Sequence, residues 1–137
     1  MGSNQAAIDA FKAAVASGDM QQMAQAQKDW STDDYVQEWP QSGERVVGRD
    51  AANKLNESYS QATGTMPKMT LRRTIGGGDI YVIEGTIDYG DGTPVSYVGV
   101  AEFRDGKIAK MTEYFANPFE APAWRKDLVE RMDPVSV

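Results

Sequence analysis

Two glycine-centred turns fix most of what this chain can fold into. Gly90-Asp91-Gly92-Thr93 and Arg104-Asp105-Gly106-Lys107 each stand between two stretches rich in β-branched and aromatic residues. A turn of this kind between such stretches signals a hairpin, because tight hairpin turns need the left-handed backbone that Gly and Asp tolerate. The turns therefore predict three consecutive antiparallel strands over residues 79–89, 95–103 and 108–116. A fourth strand, 69–75, precedes them across the flexible joint Gly76-Gly77-Gly78. In the strand 79–89, Tyr81, Ile83, Gly85, Ile87 and Tyr89 form one side, apolar enough for an interior. Ile80, Val82, Glu84, Thr86 and Asp88 form the other, only half polar, as a face partly covered by a partner would be.

The first half of the chain carries a different period. Ile8, Phe11 and Val15 recur at helical spacing beside Ala7 and Ala14, and Gly18-Asp19 ends the pattern. A second short helix follows through Met20, Met23 and Ala24, with the glutamines at 21, 22, 25 and 27 facing water. Residues 33–39 read as a short strand that Pro40 stops, and 41–45 as a loop. A third helix over 50–62 aligns Ala52, Leu55, Tyr59 and Ala62 on one face. The tail 124–132 spaces Trp124, Leu128 and Met132 four apart, as a short helix lying on something apolar. Helices first and a strand meander second argue an α+β fold, the helices packed on one face of a curved sheet with a pocket between.

Composition narrows the chemistry. The 137 residues suit one domain, expected over 4–133. There is no histidine and no cysteine, which removes the commonest general base, thiolate metal sites and every Ser-His or Cys-His pair. Acid–base work falls to Asp, Glu, Tyr or Lys. Twenty acidic against 14 basic residues, a formal charge of −6, make nucleic acid an unsuitable partner. The triple glycine lacks the lysine and following helix of a phosphate loop, and no Asp/Glu cluster has metal-ligand spacing, so no cofactor and no metal is expected. No apolar run approaches a membrane span and no signal peptide is visible, so the expectation is a cytoplasmic protein without membrane contact. Met1-Gly2-Ser3 is compatible with a cloning remnant.

The residue that asks for a purpose is Glu113. It lies between Met111 and Phe115 on one side of the last strand, so an inward Met111 and Phe115 bring the carboxylate inside with them. A carboxyl held in an apolar site has a raised pKa, which suits proton transfer near neutrality.

Gly18-Asp19-Met20, Tyr35 to Pro40 (YVQEWP), Gly48-Arg49-Asp50-Ala51, Phe103 to Ile108 (FRDGKI) and Glu113 to Pro118 (EYFANP) together resemble the SnoaL-like proteins of the nuclear transport factor 2-like superfamily. The resemblance runs over nearly the whole chain. It implies a cone-shaped α+β barrel, N-terminal helices plugging the concave face of a strongly curved, mainly antiparallel sheet, a small-molecule pocket at one end, and a homodimer paired through the sheet. The superfamily holds cyclases, isomerases, dehydratases, epoxide hydrolases and binding modules, so activity must be argued from the site.

On that resemblance an inward acid belongs on the last strand, where Glu113 stands, and a polar pocket residue belongs near Glu38. Alternation lets either Glu38 or Trp39 point inward. Glu113, Glu38 and Tyr97 are the catalytic candidates, with Tyr97 as hydrogen-bond donor. Trp39, Tyr35, Tyr59, Tyr81, Gly99, Met111, Phe115 and Asn117 are the ligand-binding candidates: aromatic walls, small residues that leave room, and a cap at the mouth. Two routes of the superfamily are closed. Gly85-Thr86-Ile87 replaces the Arg-x-Asp that follows a glutamate like Glu84 in the epoxide hydrolases, and the histidines of scytalone dehydratase are missing. What remains is a cyclase or isomerase acting on an apolar ring, a binding domain for an apolar ligand, or a dimeric scaffold.

Overall fold

The computed structural model describes residues 2–64 and 67–132, so the far limit of the expected domain, residue 133, lies outside the described residues. In chain order come α1 (Gly2–Ser17), α2 (Met20–Trp30), β1 (Ser31–Trp39), β2 (Glu44–Val47), α3 (Arg49–Thr63), β3 (Lys68–Gly77), β4 (Ile80–Asp88), β5 (Pro94–Arg104), β6 (Lys107–Ala116) and a 3-10 helix, Ala123–Leu128. The expected α+β architecture is present. The strands form one unclosed sheet in the order β2-β1-β6-β5-β4-β3. Every neighbouring pair is antiparallel except β1 and β6, which run parallel.

The sheet is curved, and its irregularities lie where bending is needed. The register shifts between Leu71 and Arg73 and again between Glu102 and Phe103, and such bulges increase local twist. Gly85 sits beside the first shift. A Cβ there would stand 2.4 Å from the Thr70 carbonyl oxygen, so only glycine lets β3 fold this close.

One face of the sheet collects the core. Ile83 on β4, Ala101 on β5 and Ala7 and Ile8 on α1 are fully enclosed, joined by Ala52 of α3 and by Tyr81, Ile87, Val95, Phe103, Ile108 and Met111. Asn4 pins the start of α1 to the β3–β4 turn by donating to the Gly78 carbonyl at 2.7 Å and to Asp79 Oδ1 at 3.3 Å. Helix α2 opens on Asp19, whose carboxylate accepts the Gln21 N–H at 2.8 Å. At its other end Arg49 donates to the Lys28 and Ser31 carbonyls and pairs with Asp33.

Three readings change. The loop at 41–45 is shorter than expected: a turn at Trp39–Gly43 leads straight into β2, so β1 gains an antiparallel edge partner. The strand expected from residue 33 begins at Ser31, directly after α2. The tail does not lie on anything apolar: Trp124 is 77% exposed and Leu128 78%, with Met132 equally open. Their spacing of four implies a short helix with a buried stripe, but only a 3-10 segment forms after Pro122, and none of its residues is buried.

Candidate functional site

Between the three helices and the concave face of the sheet lies a cavity of about 650 Å3. Helix α2 explains why it exists. None of its residues is buried, yet Met23, Ala26 and Trp30 turn toward the sheet and line the cavity. Its apolar stripe faces a space and not solid core. Exposed residues on α2 and α3, among them Met20, Asn56, Glu57 and Tyr59, form an open rim.

Strand alternation delivers the polar groups. On β1, Tyr35, Gln37 and Trp39 point inward; on β6, Met111, Glu113 and Phe115 do; on β5, Tyr97 does. The parallel pairing of β1 with β6 sets Gln37 opposite Met111 and Glu38 opposite Thr112, so Gln37 and Trp39 flank Glu113. Glu113 Oε1 accepts the Gln37 amide N–H at 2.7 Å and the Trp39 indole N–H at 3.0 Å. Its Oε2 accepts the Tyr97 hydroxyl at 2.5 Å. The Tyr35 hydroxyl donates to Gln37 Oε1 at 3.0 Å. That last bond fixes the amide: its carbonyl serves Tyr35, so its NH2 serves Glu113.

Gly99 is the reason Tyr97 reaches Glu113. In the register Gly99 stands opposite Glu113, and Tyr97 stands opposite Phe115. The Tyr97 ring therefore leans along its own strand, over Gly99, to reach the carboxylate. A Cβ at Gly99 would be 2.5 Å from the Tyr97 hydroxyl oxygen and 3.1 Å from Cζ. The ring is also held against Phe115, centroids 5.4 Å apart.

The electrostatics follow from burial. Desolvation raises the Glu113 pKa above the ordinary carboxylate range, against the pull of hydrogen bonds from Tyr97, Trp39 and Gln37. Desolvation, reinforced by the neighbouring Glu113 charge, raises the phenols of Tyr97 and Tyr35. Both tyrosines therefore stay protonated across the physiological range and act as donors.

Comparison with known proteins agrees with this architecture. Residues 8–111 match the SnoaL-like domain family. The chain belongs to that family. An NTF-2 like protein of unknown function from Burkholderia xenovorans LB400 is 36% identical, with 96% of this chain and 97% of that one covered at a TM-score of 0.73. A candidate ketosteroid isomerase from Kribbella flavida DSM 17836 is 21% identical over 97% and 92%, TM-score 0.78. A candidate SnoaL-like polyketide cyclase from Jannaschia sp. CCS1 is 14% identical over 83% and 85%, TM-score 0.68. The last two share the fold with this SnoaL-like chain. No curated protein matches.

Of the residues expected at the site of this SnoaL-like domain, Glu113, Tyr97, Trp39, Tyr35, Tyr59, Met111 and Phe115 surround one cavity. Glu38 does not. Trp39 takes the inward place and Glu38 turns to the outer face, where it pairs with Arg45 at 2.5 Å and Lys110 at 2.8 Å. Those hydrogen bonds lower its pKa, the direction opposite to Glu113. Tyr81 lies off the cavity: its ring packs edge-on against Phe103 and its hydroxyl donates to Gln5. Gly99 leaves no room for a ligand, because the Tyr97 ring fills the space above it. Asn117 is exposed beyond the strand end and lies off the cavity wall. Gln37 was missed. Alternation makes Gln37 and Tyr35 inward once Trp39 is, but it does not say that Trp39 is. Among the described residues no group of three or more Asp and Glu side chains is placed to hold a metal ion, and no helix is long and apolar enough to cross a membrane.

Proposed function

We propose that this cavity binds a mostly apolar cyclic molecule and that Glu113 moves a proton on it, as a general base and then a general acid, in an isomerase- or cyclase-type reaction. The observation that carries the reading is a desolvated carboxylate at the cavity wall, held by three neutral donors and by no cation. Ionised Glu113 takes a proton from carbon beside a carbonyl, leaving an enolate. The new Oε2–H donates to the Tyr97 hydroxyl oxygen, which frees the Tyr97 O–H to donate to the enolate oxygen. Reversal at another carbon returns the proton. The likeness of fold to a candidate ketosteroid isomerase and a candidate polyketide cyclase supports the same chemistry.

The test has two halves. A carboxyl-carbon NMR titration, assigned with Glu113→Gln, reads the pKa; an ordinary value sinks the desolvated acid. Deuterium uptake from D2O into a panel of cyclic ketones then reads proton transfer, expected in wild type and lost in Glu113→Gln. A second reading, a binding domain without catalysis, has one observation in its favour: Tyr97 already spends its hydroxyl on Glu113. Retained ligand affinity with no deuterium uptake would select it.

The reading extends to a homodimer paired through the outer sheet face. Val82, Val100 and Thr112 form one cross-strand row there and Glu84, Val98 and Tyr114 the next. Tyr114 is exposed and the others are half-buried, an apolar centre framed by ion pairs. Sedimentation of the wild type against Tyr114→Glu checks it.

A further inference from the structure

Among the described residues that line the cavity there is no lysine and no arginine, and the charged one besides Glu113, Glu57, is acidic and stands at the rim. The nearby sheet cations are committed on the outer face: Arg45 and Lys110 to Glu38, Arg72 and Arg73 to Glu84. An anionic ligand would shed its hydration on entering and meet no compensating positive charge, an unfavourable step in a low-dielectric site.

Two features go beyond exclusion. A carboxylate offers about four lone-pair positions. Gln37 and Trp39 take those on Oε1 and Tyr97 takes one on Oε2, which leaves one without a partner among the described residues. The walls around it carry the aromatic rings of Phe11, Trp30, Tyr35, Trp39, Tyr97 and Phe115. Aromatic faces attract cations, most strongly where water is excluded. Both the carboxyl on the cavity wall and the aromatic rings call for the same complement.

We infer that the cavity takes a ligand with a protonated amine on an apolar ring body, its ammonium beside Glu113 and its ring among the aromatic side chains. This rests on the reading of the cavity as the ligand site and narrows the substrate class. It also removes a difficulty in that reading. A desolvated carboxyl tends to stay protonated, yet a base must be ionised. An ammonium within about 4–6 Å favours the ionised form, so the right substrate would arm the base as it binds.

The test uses three probes on the same naphthalene body, measured by calorimetry with the whole protein: 2-naphthylmethylamine, 2-naphthylmethanol and 2-naphthoate. The amine is expected to bind about tenfold or more tighter than the alcohol, and the carboxylate not at all. In Glu113→Gln the amine and alcohol should bind within about twofold of each other. Glu38→Gln removes the same charge outside the cavity and should preserve the wild-type order, which separates the local carboxylate from the general negative charge of the protein. If the alcohol binds and the amine gains nothing, or the carboxylate binds as well as the alcohol, the amine assignment falls while the pocket reading stands. If none of the three binds, both fall. The wild-type comparison decides these outcomes even if Glu113→Gln fails to fold.

Discussion

Glu113 and Glu38 occupy the two faces of one sheet, on neighbouring strands one residue apart in register, since Glu38 pairs with Thr112. On the outer face a half-buried Glu38 meets the more exposed Lys110 and Arg45, and its pKa falls. On the inner face Glu113 meets an amide, an indole and a phenol away from bulk water, and its pKa rises. The side chain is the same; the neighbours and the solvent are not. Opposite charges hold the outer carboxylate ionised at little gain, because exposed pairs are screened. Neutral donors hold the inner one in place without neutralising it, so it can still lose or gain a proton. The direction of the pKa shift here belongs to the face and not to the residue type.

Substitutions at matched positions test that contrast. The largest effect is expected from Glu113→Gln, a loss of about 10²–10⁴-fold in proton transfer to a reactive substrate, measured as deuterium exchange rate; the same change at Glu38 should leave the rate within about twofold. Next is Gly99→Ala. Its methyl must displace the Tyr97 ring or Met111, at a cost of about 1–3 kcal/mol in urea unfolding. It should also change the Glu113 pKa by breaking the bond from Tyr97, although Gly99 touches no ligand. Tyr97→Phe removes that bond without crowding. It should cost about 1–3 kcal/mol through the unsatisfied Oε2 and move the Glu113 pKa further up, since one of the interactions that lowers it is gone.

The pH dependence of stability gives a smaller effect with opposite signs on the two faces. Unfolding returns Glu113 to water and to its ordinary pKa, below the folded value. Between the two the native state holds more proton than the unfolded chain. Its contribution is therefore fully present below the unfolded pKa and is lost as pH rises through the folded one, with a slope of up to about 1.4 kcal/mol per pH unit. Glu38, Glu84 and Asp34 have folded pKa values held down by Lys110, Arg73 and Arg104. Their contributions are present above the unfolded pKa and lost as pH falls through the folded one. Wild type minus Glu113→Gln, followed by thermal melts from pH 4 upward, should isolate the falling limb. Wild type minus Glu38→Gln should show the weaker rising limb at the acid end. A flat difference curve for Glu113 would place it in water, and a rising one would mean that its three hydrogen-bond donors outweigh desolvation.

The sheet was legible because its information is local. The turns around Asp91 and Asp105 and the alternation of Tyr81, Ile83 and Ile87 fixed three strands and their inward sides without reference to anything distant. Glu113 was legible for the same reason, through Met111 and Phe115. Glu38 and Trp39 were not, because alternation says that they differ and not which is inside; that choice is made by β1 lying parallel to β6, a pairing no local pattern announces. Gly99 shows the same limit. Its smallness was visible, but that it serves a tyrosine two residues back depends on a cross-strand neighbour. The tail misled because spacing of four implies a buried stripe only if there is a surface to receive it.

That parallel pairing has a consequence in time as well as space. Gln37 and Trp39 lie 76 and 74 residues before Glu113. While the chain is being made, the meander up to β5 can form from near neighbours, but the central position between β5 and β1 stays open until β6 arrives to fill it. Two of the three contacts that hold Glu113 thus close loops of 76 and 74 residues, a slow kind of contact to make. A nascent chain that stops short of residue 107 can have its helices and most of its strands and still lack the wall that Ile108, Met111, Glu113 and Phe115 supply. The cavity is the seam of the structure, and a ligand bound there would act as the stitch that keeps the first strand and the last together.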